Sequence, residues 1–319
     1  MRRILVTGGS GFIGTNIVEK FVKDGYRVLN IDHNRPKLLR HVKYWIDVDI
    51  TNIKEFKNSV HSFNPHYILH LAARTDLEGL SIEDYKANTF GVQNVMDVSC
   101  ELSSLEKIII ASSMLVCNIS HQPKNQFDYS PTTIYGESKV ETEKIVWESE
   151  VGCDWAIIRP TSIWGPWFSA PYRNFFEMVI TRKYFHIGHR SCTKTYGYVE
   201  NSIFQIERIL FTETKDRLNK VFYIGDYEST NIEKWANEIS NESGNSIRRI
   251  PAFSVKILAI IGDILKFFKI KFPINSFRFR NMTTNNIINL SAVSKIVPKL
   301  PFTRIEGVKK TINWIKNKK

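Results

Sequence analysis

Two hydrophobic periods alternate along the first half of the chain. Residues 3–7 form a short apolar run, which predicts a strand. Residues 11–23 place Ile13, Ile17 and Phe21 on one helical face, with Val18 and Val22 beside them. Strands are predicted at 27–31, 42–48 and 67–71, and a long helix at 82–101. A fifth strand at 107–111 is rich in isoleucine, a helix follows at 132–150, and a sixth strand at 154–158. Short apolar strands alternating with helices predict a parallel sheet covered on both faces. Right-handed crossovers then make an α/β, doubly wound parallel sheet. After Pro160 the pattern loosens, with Gly165, Pro166, Trp167 and Pro171 marking a loop. We expect a nucleotide-binding domain over 1–165 and a smaller C-terminal substrate-binding domain over 166–319, with chain crossings between them.

The turn between the first strand and the first helix reads Thr7-Gly8-Gly9-Ser10-Gly11-Phe12-Ile13-Gly14. Gly8, Gly11 and Gly14 are spaced three apart. Such spacing permits a tight turn, close approach of the backbone to a pyrophosphate and close helix packing. The helix N-terminus adds unpaired N–H groups and a partial positive charge. Asp32 ends the second strand, 18 residues past Gly14, where a carboxylate accepts the ribose hydroxyls of NAD. A 2′-phosphate would be repelled there, so NAD is expected, with Arg35 as a feature that tolerates NADP. Together these signals predict a Rossmann dinucleotide site.

Tyr135 and Lys139 lie four residues apart on a predicted helix, hence on one face. Moving a hydride from a C–OH carbon requires a proton to move at its oxygen. A phenol is a poor base at neutral pH. One positive charge at about 4 Å, at an effective dielectric near 20, is worth about 4 kcal/mol. That equals about three pKa units, enough to bring the Tyr135 phenol near 7. Ser112 and Ser113 end the fifth strand, where strand C-termini meet a ligand crevice.

These residues together resemble the extended short-chain dehydrogenase/reductase family, in its nucleotide-sugar epimerase, dehydratase and reductase branch. The matching motifs are 7–14, His70-Leu71-Ala72-Ala73, Asn88-Thr89-Phe90-Gly91, Ser112-Ser113, 135–139 and 159–166. The resemblance implies Ser113, Tyr135 and Lys139 as catalytic residues. It implies cofactor contacts from Gly8, Gly11, Phe12, Ile13, Gly14, Asp32, Asp49, Ile50, Leu71, Ala72, Ala73, Asn88, Tyr135, Lys139 and Pro160. Substrate contacts would come from Ser112, Ser162, Asn174, Lys194, Arg278 and Arg280. The chain departs from the family where Ser162 stands in place of a frequent Asn, and where Lys194 stands in place of a frequent Arg. Lysine keeps the charge but loses the bidentate fork. The related 4,6-dehydratases carry Asp-Glu after the catalytic residue, whereas Met114 and Leu115 follow Ser113 here. That disfavours water elimination.

Composition narrows the picture further. Hydrophobic residues are 43% and charged residues 24%, an ordinary globular balance. Cys100, Cys117, Cys153 and Cys192 form no C-x-x-C pair, so we expect reduced thiols in a cytoplasmic protein and no metal. The formal net charge of +12 reads as dispersed lysines plus the tail Lys316-Asn317-Lys318-Lys319. It favours phosphate-bearing ligands, and no nucleic-acid motif accompanies it. The apolar segment 252–272 is interrupted by Lys256, Asp263, Lys266 and Lys269, which excludes a membrane span. A helix packed on the substrate domain is the favoured reading, with peripheral membrane contact as the alternative. Three functions stay open: a nucleotide-sugar epimerase using transient hydride abstraction, an NAD(P)H-dependent keto-sugar reductase or hydroxysteroid-dehydrogenase-like enzyme, and a non-catalytic dinucleotide sensor. The family resemblance further implies a homodimer through the helix bearing Tyr135 and the long one before it.

Overall fold

The buried Ile- and Val-rich runs form a seven-stranded sheet in the computed structural model. The model describes residues 1–119, 121–188, 191–213, 220–267, 276 and 283–317. Strands β1 (Arg3–Thr7), β2 (Arg27–Ile31), β3 (Trp45–Ile46), β4 (Tyr67–His70), β5 (Lys107–Ala111) and β6 (Asp154–Pro160) are joined by the late strand Val221–Ile224. From one edge the order is Val221–Ile224, β6, β5, β4, β1, β2, β3, and all six pairings are parallel. The strand order reverses between β1 and β4, the switch point at which such sheets bind ligands at their carboxyl edge.

Helices α1 (Phe12–Lys23), α2 (Ile53–Phe63), α3 (Phe90–Cys100) and α4 (Ile134–Glu148) connect these strands, and α6 (Val199–Phe211) returns to the same unit. This unit comprises Met1–Ile163, Gly197–Gly225 and Asn289–Pro301. Its core includes Leu5, Ile31, Phe56, Ile68, Val92, Met96, Ile108 and Ile157, all nearly free of solvent. Each such side chain contributes roughly 1.5–3 kcal/mol of burial free energy.

Two predicted elements differ from what forms. Residues 42–48 do not make a full strand; Leu39–Tyr44 is a 3-10 turn and only Trp45–Ile46 pairs. Arg40 and His41 are drawn onto Glu19 of α1 at 3.0 and 2.7 Å, which holds the turn against that helix. The predicted helix 82–101 is broken. Ile82–Asn88 is a 3-10 turn with a non-helical Tyr85, and α3 starts anew at Phe90. The Asn88 side chain bonds both backbone groups of Arg74, in place of facing solvent from a continuous helix.

The second unit comprises Trp164–Tyr196, Asp226–Ile288 and Phe302–Lys319. It holds α5 (Tyr172–Ile180), α7 (Ile232–Glu242), α8 (Ala252–Phe267) and a last helix Arg304–Asn317. Its core is aromatic: Trp164, Phe176 and Trp235 are buried together with ring centroids 5.2–5.6 Å apart. Arg304 fixes the last helix to Glu238 of α7 by a two-pronged ion pair at 2.7 and 2.8 Å. Within the segment 252–272, α8 buries one face only. Val255 and Gly262 are buried, but Phe253, Ile257, Ile260, Ile261 and Ile264 are exposed.

Candidate active site

The carboxyl ends of β1, β2, β4 and β5 bring the glycine turn, Asp32, the 71–73 segment and the Ser pair to one edge of the sheet. At Gly8 the backbone has φ +73°, and a Cβ there would lie 2.5 Å from the Ala72 nitrogen. A Cβ on Gly14 would lie 2.2 Å from the Gly8 carbonyl oxygen. Both contacts are with backbone, so neither can yield cheaply. Gly11 caps α1, and the first bond into the helix is Thr15 N–H to Gly11 C=O at 2.9 Å. The N–H groups of Phe12, Ile13 and Gly14 thus precede the helical bonding pattern, a ready acceptor site for phosphate.

Asp32 is buried beside this turn. Its carboxylate accepts the Ser10 N–H at 3.0 Å and the Asn34 N–H at 2.8 Å. Each oxygen keeps a further lone pair for a ribose hydroxyl. Asn30 supports the same loop by donating to Ser10 Oγ at 3.1 Å. A glycine cradle closed to any Cβ, a helix N-terminus and a buried acid fit an NAD-type dinucleotide.

Leu71 and Ala72 follow β4. The Leu71 N–H donates to Thr7 C=O at 3.0 Å, and the Ala72 N–H to Thr7 Oγ1 at 3.3 Å. Thr7 and His70 are register partners, and Thr7 Oγ1 lies 2.8 Å from His70 Nδ1. Ala73 is half-buried next in line. Ile50 is buried and packs on Gly91, while Asp49 is exposed and caps the Thr51 N–H at 2.8 Å. Asn88, expected near the cofactor, spends its amide on the protein. It bonds the Arg74 backbone at 2.9 and 3.0 Å and donates to Ser138 Oγ at 2.9 Å. Its own carbonyl accepts Thr142 Oγ1–H at 2.6 Å. It is a pin between the segment after β4 and α4.

Helix α4 starts where Thr133 Oγ1 accepts the Gly136 N–H at 3.0 Å. A Cβ on Gly136 would meet the Leu115 carbonyl oxygen at 2.4 Å, so glycine lets α4 approach the chain after Ser113. Tyr135 is hydrogen-bonded to Ser113, and its ring lies 6.0 Å from Tyr85. Ser113 Oγ also accepts the Leu115 N–H at 3.1 Å. Lys139 is buried and donates to the Ala111 carbonyl at 2.8 Å. Burial lowers its pKa to about 8.

The Tyr135 phenol is buried. Burial pushes its pKa up to about 12, against a smaller lowering by Ser113. The Lys139 ammonium is turned to the Ala111 carbonyl. Desolvation therefore exceeds the charge effect anticipated from spacing alone.

Ser112, expected to face substrate, instead donates to Glu143 Oε1. Glu143 is the centre of a buried network that the sequence analysis missed. Arg159 meets it at 2.8 and 2.7 Å, and Tyr129 donates to it at 3.0 Å. Arg159 also donates to Tyr223 Oη at 3.1 Å and to the Gln126 carbonyl at 2.7 Å. A buried Arg in a strand and a Glu eight residues after Tyr135 were the available signals. Pro160 pairs with Ile224 at the end of β6. Ser162 is buried just beyond it.

In the second unit, Lys194 is half-buried in the short strand Thr193–Lys194, and burial lowers its pKa. Asn174 is exposed on α5. Arg278 and Arg280 lie outside the described residues. Among the described residues no cluster of three His, Cys, Asp or Glu is placed to hold a metal.

The chain is similar to known proteins in sequence and to solved structures in fold. An N-acetyl-alpha-D-glucosaminyl-diphospho-ditrans,octacis-undecaprenol 4-epimerase of Escherichia coli O157:H7 is 23% identical over 98% of this chain and 94% of its own. A 3-beta-hydroxysteroid dehydrogenase of Mycolicibacterium neoaurum is 27% identical over 78% of this chain and 72% of its own. Among solved structures, a UDP-glucose 4-epimerase from Thermotoga maritima superposes with a TM-score of 0.75 at 18% identity, covering 99% of both chains. A UDP-glucuronic acid 4-epimerase from Bacillus cereus, in complex with UDP-glucuronic acid and NAD, gives 0.75 at 19% identity, covering 99% of this chain and 100% of its own. The family model for the NAD dependent epimerase/dehydratase family matches residues 4–202, and the chain belongs to that family of NAD-dependent enzymes.

Proposed function

We propose that this enzyme is an epimerase that inverts a hydroxyl-bearing carbon of a sugar carried on a nucleoside diphosphate. The observation that carries the reading is Tyr135 on Ser113, one helical turn from Lys139, at the sheet edge that bears the glycine cradle. NAD held there would supply reversible hydride transfer at the sugar carbon. Tyr135 holds or moves the proton at the sugar oxygen, and Ser113 orients that oxygen by a hydrogen bond. Gly8, Gly11, Phe12, Ile13 and Gly14 bind the pyrophosphate, Asp32 the ribose, and Leu71, Ala72, Ala73 and Pro160 border the cofactor. Lys194 and Asn174 serve the sugar-linked diphosphate. Met114 and Leu115 after Ser113 leave no acid pair there for dehydration. Coverage of nearly the whole length of an epimerase supports the reading. A homodimer through α3 and α4 belongs to the same proposal, checked by sedimentation equilibrium.

The test starts with protein purified without added cofactor and then denatured. Near-stoichiometric NAD in the supernatant supports an epimerase, whose hydride returns within each turnover. Incubation of the native enzyme with UDP-hexoses in deuterated water then shows inversion without deuterium at the inverted carbon. If NAD is neither retained nor bound on titration, the reading fails. Net consumption of NADH with a keto-sugar would instead establish the reductase.

A further inference from the structure

Helix α8 has two apolar faces. Val255 and Gly262, seven residues apart, are buried on one. Phe253, Ile257, Ile260, Ile261 and Ile264 recur at the i, i+4, i+7, i+8, i+11 spacing of a single helical stripe on the opposite side. They are 68%, 53%, 50%, 41% and 55% exposed. A surface helix needing only to cover its own domain carries polar residues at such positions. Lys256 is exposed at the margin of this stripe.

The charge of the chain is concentrated in the stretch of sequence that carries the same helix. Between Glu242 and Glu306 stand eleven Lys and Arg residues and one acid, Asp263. The stretch therefore nets +10, the tail Lys316, Lys318 and Lys319 adds three lysines, and the rest of the chain is close to neutral. Arg249 and Arg304 pair with Glu233 and Glu238, both outside it. No helix among the described residues is long and apolar enough to cross a membrane.

An apolar stripe with lysine at its margin, in a segment nearly devoid of acids, matches the in-plane amphipathic helices that bind anionic bilayers. We propose that α8 is a peripheral membrane-docking element, its Phe and Ile stripe set into the headgroup boundary of an anionic lipid surface. Exposed apolar area supplies the insertion, and the basic surroundings select acidic over zwitterionic headgroups. This goes beyond the epimerase reading and stands or falls separately from it.

The test is co-sedimentation of the full chain with vesicles of phosphatidylglycerol and phosphatidylcholine, against vesicles of phosphatidylcholine alone. We expect binding to the anionic vesicles at least tenfold stronger, weakening as salt is raised because screening shortens the reach of charge to about 8–10 Å at physiological strength. The variant F253S/I257S/I264S loses at least tenfold of that binding while keeping the wild-type melting temperature, since these side chains are exposed. Ile260→Trp gives a blue-shifted fluorescence component on adding anionic vesicles. The proposal is overturned if the wild type binds neither vesicle or binds both equally. It is also overturned if the serine variant binds undiminished, or if that variant turns a solution dimer into a monomer, which would make a second copy the occupant. Preference for duplex DNA over anionic vesicles would overturn it too. NAD retention by the serine variant reads the epimerase proposal independently.

Discussion

Tyr135 is held neutral by its burial, with a pKa of about 12, while Lys139 sits near 8 and points to the Ala111 carbonyl. Such a phenol is an effective proton donor but becomes a base only when positive charge comes close. Replacing Tyr135 by Phe should lower kcat by about 10²–10⁴-fold. NAD content should be unchanged, as measured on denatured protein. Lys139→Met should remove stabilisation of the phenolate, so the basic group in the kcat profile should move to higher pH. A profile that keeps its position would disprove that role. His70 contributes at the same scale. Burial holds it neutral, with its pKa lowered to about 3. The unfolded imidazole binds a proton below about 6.5. The folded protein therefore binds fewer protons between pH 6.5 and 3, and stability contributed by neutral His70 is present above 6.5 and is lost as pH falls through that window. The loss should reach the order of 4 kcal/mol near pH 3. Thermal melts of wild type and His70→Asn over pH 3–7 should diverge in slope, and parallel curves would exclude His70 as the cause.

Elements meet at backbone contacts and buried charges. Helix α1 approaches the glycine turn so closely that Gly14→Ala puts a Cβ against the Gly8 carbonyl. Overpacking of this kind costs roughly 1–3 kcal/mol, and displacement of the phosphate-facing N–H groups should weaken NAD at least about tenfold. Titration followed by calorimetry measures both effects. Strand β6 is clamped to α4 by Arg159 and Glu143, each no more than 1% exposed. Arg159→Leu leaves the carboxylate buried without its partner and should cost about 3–5 kcal/mol. The paired replacement R159L/E143L should recover part of that loss in urea denaturation, because no charge then stays stranded. Much of this was readable in the chain. The period-two and period-3.6 runs placed β1, α1, β2, β4, β5, α4 and β6 close to where they form. The strand at 42–48 and the helix at 82–101 were overcalled. Their local patterns are outweighed by Glu19 reaching for Arg40 and His41, and by Asn88 reaching for the Arg74 backbone.

At the scale of the whole molecule, a bound dinucleotide should act as a stabiliser. NAD at 100 times its Kd should add about 2.7 kcal/mol. The melting temperature should rise by roughly 4 °C for a chain of this size, while Asp32→Arg should diminish the rise with NAD. An equal rise for both dinucleotides in wild type and variant would remove Asp32 from cofactor choice. The sequence by itself determined the doubly wound sheet, the glycine turn with Asp32, and the Ser113, Tyr135 and Lys139 set. Those features rest on local periodicity, backbone sterics and spacing within one helix or turn, which need no distant partner. Tertiary structure alone decided that Ser112 donates to Glu143 and that Asn88 bonds the Arg74 backbone. It decided that desolvation of Tyr135 exceeds its charge environment. It also decided that the stripe of α8 faces outward. Each depends on what the fold packs against a side chain, and burial, unlike spacing, is a property of neighbours far away in the chain.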